Sequence, residues 1–324
     1  MSNYSTLAVP LLFSGKFRQS FRLQNTLARR VQLSGFGFWS GADVVVEFCP
    51  AGVGDGVYFV RTDLAGEPRI PALVQYREEK PRQTSLVNGQ ARVDMVEHVL
   101  AAVRGMGIDN CEIRTNRPEM PGFDGSSERF FVALNDAGLV TQPAVRNVRL
   151  VTRSFKVGDK EHWINVMPCR NGGSEYKFTL VPSEGYPQKQ QDYSFRYAKE
   201  TFQQEVMDAR TFLNKCEADY LLSSGLCQRV TPRDVLVLTP EGPIDNKYRY
   251  ENECARHKVL DMIGDFSLVD CDWVGMFESY RGGHSLNAEC VRQLLDNSML
   301  LDESFVPKNS DLMIIKRELQ NHAA

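Results

Sequence analysis

"VVVEFCPAGVGDGVYFVRTD", residues 44–63, and "WINVMPCRNGGSEYKFTLVP", residues 163–182, have the same layout: strand, turn carrying proline and glycine, strand. Each follows an earlier strand and a tight turn, "RRVQLSGFGFWSG" (29–41) in one case and "VRLVTRSFKVGDK" (148–160) in the other. Alternating apolar residues punctuated by Gly, Asn and Asp are the pattern of half-buried strands and turns. A unit that recurs once over a chain of this length indicates a duplicated frame.

Working outward, each half contains one strong helix. The first is expected at about Met95–Arg104, with Val96, Val99, Leu100 and Val103 on one side. The second is expected at roughly Cys254–Leu268, with Val259, Met262, Ile263 and Phe266 inward. A strand follows each helix ("CEIRT"; "DWVGMFESY"). Then come a Gly-bearing loop and a last helix, near "DGSSERFFVAL" and "GGHSLNAECVRQLL". Strands before helices in both halves predict an α+β protein. Two domains of similar topology, each a layer of strands packed on helices, divide near Ala144–Asn147. The expected domains are 25–144 and 147–324, preceded by an extension at 1–24. The second half carries about 40 additional residues, at about 187–245, as an inserted subdomain.

Composition excludes several classes. The 324 residues are 42% hydrophobic and 24% charged, with formal charge −3 and no strong basic run, so nucleic acid is not an expected partner. No stretch reaches the roughly 20 apolar residues of a transmembrane helix, and the first residues lack the basic start of a signal peptide. The eight scattered cysteines form no CxxC pair and read as reduced thiols. A cytoplasmic monomer is the expectation.

The chemistry concentrates in "RHKVLDMIGD", residues 256–265. Residues four apart share a helical face, so His257, Asp261 and Asp265 line up opposite the apolar stripe. Imidazole and carboxylate one turn apart can reach one small cation. A solvated polar face has the same spacing. In the first half, Glu97 and His98 lie in the first turn of the other helix. Asp94 with Glu97 three residues on fits a capping box. Alternatively, His98 binds a metal beside a base, Glu97. His284, in "YRGGHSLNAE", precedes Ser285, a plausible N-cap. It reads either as a surface-loop histidine or as an acid kept protonated by Asp265.

Taken in order, "VEHVLAAVRGMGIDN", "PEMPGFDGSSERF", "ARTF", "HKVLDMIGD" and "GGHSLN" resemble the zinc-dependent UDP-3-O-acyl-N-acetylglucosamine deacetylases of lipid A synthesis. The likeness runs from about Asn25 to about Leu300. It implies an active site between the two domains, with Zn²⁺ (or Fe²⁺, which accepts the same donors) held by His98, His257 and Asp261. It further implies Glu97 as general base toward water and Thr211 as an oxyanion donor, with Lys258 adding positive charge. His284 would be the acid for the leaving amine, oriented by Asp265. The insertion would form an apolar passage for the 3-O-acyl chain of a UDP-sugar substrate, with Phe212, Ala218 and Cys227 along it.

The chain departs from the family's usual pattern at Trp39, which replaces a histidine, and at Asp94-Met95 and Gly122-Phe123. It also lacks an Asp-Phe pair in "FTLVPSEGYP" (178–187). These departures touch no expected ligand. They bear on substrate preference and leave two alternatives: a divergent deacetylase of another N-acetylated sugar, or a non-catalytic binder of lipid precursors.

Overall fold

A computed structural model describes residues 21–169, 171–182 and 189–322. Most of the expected N-terminal extension (1–20) and the "SEGYPQ" stretch at 183–188 lie outside the described residues.

The duplicated frame extends through the sheets. In the first half, β2 (Val31–Phe36), β3 (Asp43–Pro50), β4 (Val57–Arg61), β5 (Arg69–Pro71) and β9 (Cys111–Thr115) form a sheet in the order β2-β3-β9-β4-β5. In the second, β12 (Phe155–Gly158), β13 (Trp163–Met167), β14 (Ser174–Leu180), β15 (Gln191–Arg196) and β19 (Asp272–Tyr280) run in the order β12-β13-β19-β14-β15. The central strand is antiparallel to one neighbour and parallel to the other in both: β9 with β3 and β4, β19 with β13 and β14. A parallel pair needs a crossover on the sheet's face. Helix α1 (Glu97–Met106) lies in the β4-to-β9 crossover, and α5 (Glu253–Asp265) in the β14-to-β19 crossover.

The outer strands repeat as well. β1 (Leu23–Leu27) pairs antiparallel with β10 (Leu139–Val145) as a separate two-stranded sheet; β11 (Val148–Val151) likewise pairs antiparallel with β20 (Ser298–Leu301) but also parallel with β19, so the second sheet has seven strands. Helix α2 (Glu128–Ala137) packs on β2, and α6 (His284–Asn297) packs on β12 and β13. Alternating burial along β3, β9 and β13 explains the strands: every second side chain faces the helices.

Both crossovers carry extra structure. The first holds a three-stranded sheet of β6 (Arg77–Glu78), β7 (Ser85–Asn88) and β8 (Ala91–Asp94), whose local sequence mark is the Asn88-Gly89 turn between β7 and β8. The second holds α3 (Lys199–Glu205), α4 (Lys215–Ser223) and a sheet of β16 (Phe212–Asn214), β17 (Leu236–Thr239) and β18 (Gly242–Pro243). Helix α7 (Asp311–His322) lies beyond the expected last helix and packs on β10.

Helices α1 and α5 pack directly on each other. Their approach depends on Gly264, where a β-carbon would collide with the Glu97 carbonyl. Val99, Leu100 and Val103 of α1 and Val259, Met262 and Ile263 of α5 belong to one core spanning both halves. A second, ionic joint lies where β1 and β19 begin. Arg22 bonds Asp109 at 2.6 Å and Asp272 at 2.9 Å, while Arg104 reaches Asp272 from α1. Burial penalises the Asp272 carboxylate, but Arg104, Arg22 and Arg146 outweigh that and hold it far below the usual carboxylate range. Removing one member of such a network leaves a buried charge unpaired.

Candidate active site

The α1–α5 packing places polar residues in the interior. His257, Asp261 and Asp265 lie one turn apart on α5, and all three are buried. The face that could have been solvated is instead the seam between the halves. His98, second residue of α1, meets it from the other side. His98 Nε2 stands 3.6 Å from Asp261 Oδ1, His257 Nε2 stands 3.3 Å from the same oxygen, and the two imidazoles meet edge to face at 5.1 Å.

This geometry fits a cation. Two donors about 2.0–2.1 Å from one ion at the tetrahedral angle are roughly 3.3–3.4 Å apart. One donor atom from each of His98, His257 and Asp261 lies within 4.8 Å of the others. Asp261 Oδ2 accepts from Lys258 Nζ at 2.8 Å, whereas Oδ1 is buried without a hydrogen-bond partner among the described residues. An orphaned carboxylate oxygen facing two ring nitrogens is costly unless something positive joins it.

Electrostatics set two of the three donors, His257 and Asp261, in their ligating forms. Burial pushes His257 down to about 3, so the ring is neutral, and its Nδ1–H donates to the Ala209 carbonyl at 3.0 Å. That bond directs the Nε2 lone pair toward Asp261. Burial alone would raise Asp261, but the positive charges of Lys258 and His284 hold it well below the ordinary carboxylate range.

Around the cluster sit a further carboxyl and a further imidazole, Glu97 and His284. Burial raises Glu97 above a normal glutamate, partly offset by His284 and His98 and reinforced by Asp265 and Asp261. The capping box is absent. Asp94 belongs to β8 and binds Lys80, Val96 takes the cap position, and Glu97 Oε2 accepts the Thr84 N–H at 2.9 Å. Helix α6 starts at His284 after Gly283, so Ser285 is not the N-cap. It sits inside the first turn and donates to Glu79. His284 is thus the first residue of a helix and largely buried, not a surface-loop histidine. Its Nδ1 bonds Asp265 Oδ2 at 2.8 Å, and its Nε2 lies 3.9 Å from both Glu97 Oε1 and Asp261 Oδ2. Burial lowers this imidazolium's pKa, but Asp265 and Asp261 outweigh it and raise it to about 9.

These groups open into a cavity of about 760 Å³ lined by both halves, within the common range for ligand sites. Thr211, Lys258, Phe212, Ala218 and Cys227 all line it, and so does Trp39. Asp265 stands behind His284. Thr211 is seated by its N–H to the Gly125 carbonyl at 2.8 Å. Gly125 has φ +79°, and a β-carbon there would stand 2.7 Å from the Thr211 methyl. Trp39 is held by Glu119, whose Oε1 accepts its backbone N–H at 2.7 Å. The eight cysteines are all free, and six of them are buried. Thr84 carries no periodicity or motif that marks it in the sequence, and Glu119 and Asn287, although they fall in the "PEMPGFDGSSERF" and "GGHSLN" stretches, have no spacing that marks a role. They support the site through long-range hydrogen bonds.

Two α+β repeats with a buried His-His-Asp cluster, a carboxyl and a His–Asp pair at their seam define a metalloenzyme. A model of the UDP-3-O-acyl N-acetylglycosamine deacetylase family matches residues 24–296, and the chain belongs to that family. It is 34% identical over 277 residues to the UDP-3-O-acyl-N-acetylglucosamine deacetylases of Brucella melitensis biotype 2 and Brucella ovis, covering 85% of this chain and 96% of each relative.

Proposed function

We propose that this protein hydrolyses the N-acetyl group of UDP-3-O-(3-hydroxyacyl)-N-acetylglucosamine, giving the free amine and acetate, in lipid A biosynthesis. The observation that carries this reading is the orphaned Asp261 Oδ1 facing His98 and His257 beside Glu97 and His284. His98, His257 and Asp261 would hold Zn²⁺, with Fe²⁺ accepted by the same donors. Such a cation supplies Lewis acidity to a carbonyl oxygen and makes water more acidic.

The chain's own residues supply the proton transfers. Glu97, raised by burial, is a stronger base than an exposed glutamate and takes the proton of the attacking water. Thr211, on the cavity wall, offers a hydroxyl to the developing oxyanion, and Lys258, next to His257 in the chain and bonded to Asp261, adds a positive charge. His284 gives its proton to the departing amine nitrogen, and Asp265 keeps the ring charged and oriented. Phe212, Ala218 and Cys227 form the wall along which the acyl chain lies. A domain division near Ala144–Asn147 is supported by the pairing of β1 with β10 on one side and of β11 with β19 and β20 on the other, no pairing joining the two sets among the described residues. No helix among them is long and apolar enough to cross a membrane. We assign the protein to the cytoplasm as a monomer.

Trp39 on the cavity wall supports a second reading, the same hydrolysis on a different N-acetylated sugar. The test is acetate release by the zinc-loaded protein from UDP-sugars with and without the 3-O-acyl group. Turnover of the acylated sugar alone supports the first reading. Turnover of the unacylated sugar alone supports the second, and no turnover of either rejects the proposed substrate class.

A further inference from the structure

Thr84 is fully buried where the small first-half sheet meets the seam. Its backbone is tied to the start of α1 twice. The N–H donates to Glu97 Oε2 at 2.9 Å, and the carbonyl accepts from the Val96 N–H at 3.2 Å. Its side chain crosses to the other half, where Oγ1 donates to Asp265 Oδ1 at 2.6 Å. The remaining Asp265 oxygen, Oδ2, accepts from His284 Nδ1 and from Asn287 Nδ2, each at 2.8 Å. One residue therefore bonds both the carboxylate of the base and the carboxylate that orients the acid.

We propose that Thr84 is a positioning residue that sets the spacing and orientation of Glu97 and His284 across the seam. The inference rests on the proposed deacetylase reading. A carboxylate on a helix can rotate about its terminal bonds, and two carboxylates from different domains have no covalent reason to keep register. Thr84 removes that freedom at both ends. Its backbone is pinned by the helix start, and its hydroxyl lies a fixed three bonds from the nitrogen that holds Glu97. Asp265 has an oxygen for each partner, so the hydroxyl bond turns the carboxylate plane that His284 follows. Charge-assisted bonds of this kind are the strong ones, and small errors in the placement of reacting groups carry large rate penalties.

Three variants decide the matter. Thr84→Val keeps the shape and the backbone N–H but removes the bond to Asp265, while Thr84→Ser restores a hydroxyl. Thr84→Val should lower kcat by about 10- to 100-fold, with KM, metal content and melting temperature near the wild type, and Thr84→Ser should regain most of the rate. In a His284→Gln background, Thr84→Val should cost little more, because both changes act on one unit. An unchanged kcat in Thr84→Val, or a full additional loss on top of His284→Gln, overturns the proposal. A readout without turnover is the crystal structure of Thr84→Val. A rotated Asp265 carboxylate and displaced His284 ring support the proposal, and unmoved side chains reject it. A wild type inactive on acetamido sugars refutes the proposed function, and the crystallographic comparison still decides Thr84.

Discussion

His98 and Asp261 come from helices in different halves of the chain, yet Nε2 of one stands 3.6 Å from Oδ1 of the other. His257 completes the group at 3.3 Å from the same oxygen. Because the three donors share one focus, His257→Ala should sharply lower the bound metal measured after dialysis. A variant that keeps full metal occupancy contradicts the ligand set.

Glu97 faces the cavity and accepts a bond from Thr84 without belonging to the donor cluster. Glu97→Gln should keep the metal and the fold while losing about 10²-fold or more in turnover. Turnover near that of the wild type would reduce Glu97 to a structural role.

The two proton-transfer groups predict a bell-shaped dependence of kcat/KM on pH. Glu97 works deprotonated, and its raised pKa places the acid limb above that of an ordinary glutamate. His284 works protonated, and with its pKa raised to about 9 activity is lost as pH rises through that value. A bound dication lowers the pKa of a nearby imidazolium, so the alkaline limb falls no higher than about 9. Asp265→Asn removes the leading raising charge and should move the alkaline limb to lower pH. An unmoved limb would dissociate His284 from that limb.

Ala218 lines the cavity from α4. Ala218→Trp fills the space assigned to the acyl chain without touching the donors. KM for the acylated substrate should rise at least about 10-fold, the effect expected of blocked apolar contacts worth about 1–3 kcal/mol, while metal content stays constant. An equal KM for the acylated substrate would place the chain elsewhere.

Gly264 is the contact that lets α5 lie against the first turn of α1. Gly264→Ala must push the helices apart and should destabilise the fold by about 1–3 kcal/mol. Metal affinity should fall as well, since His98 moves relative to His257. Urea unfolding and metal titration measure the two effects. A loss of stability with unchanged affinity would show that the cluster tolerates the displacement.

The sequence alone determined the duplication, the two crossover helices α1 and α5, and the helices α2 and α6 that follow them, but not α3, α4 or α7. Strand alternation, turn residues and helical periodicity are local properties, and they survive in the strand order common to both sheets. Local geometry also determined that His257, Asp261 and Asp265 share a face, because the helix pitch allows nothing else. What covers that face was not legible: a buried polar seam and a solvated stripe have the same periodicity. Only the tertiary structure decided that the face is buried, because its burial depends on Gly264 admitting the first turn of another helix, at Glu97, 167 residues earlier in the chain. The same holds for Glu97, whose spacing from Asp94 fits a cap although its oxygen is held by Thr84, and for Thr84 itself. Hydrogen bonds between distant segments leave no periodic trace, so the residues that align this site become visible only when the two halves meet.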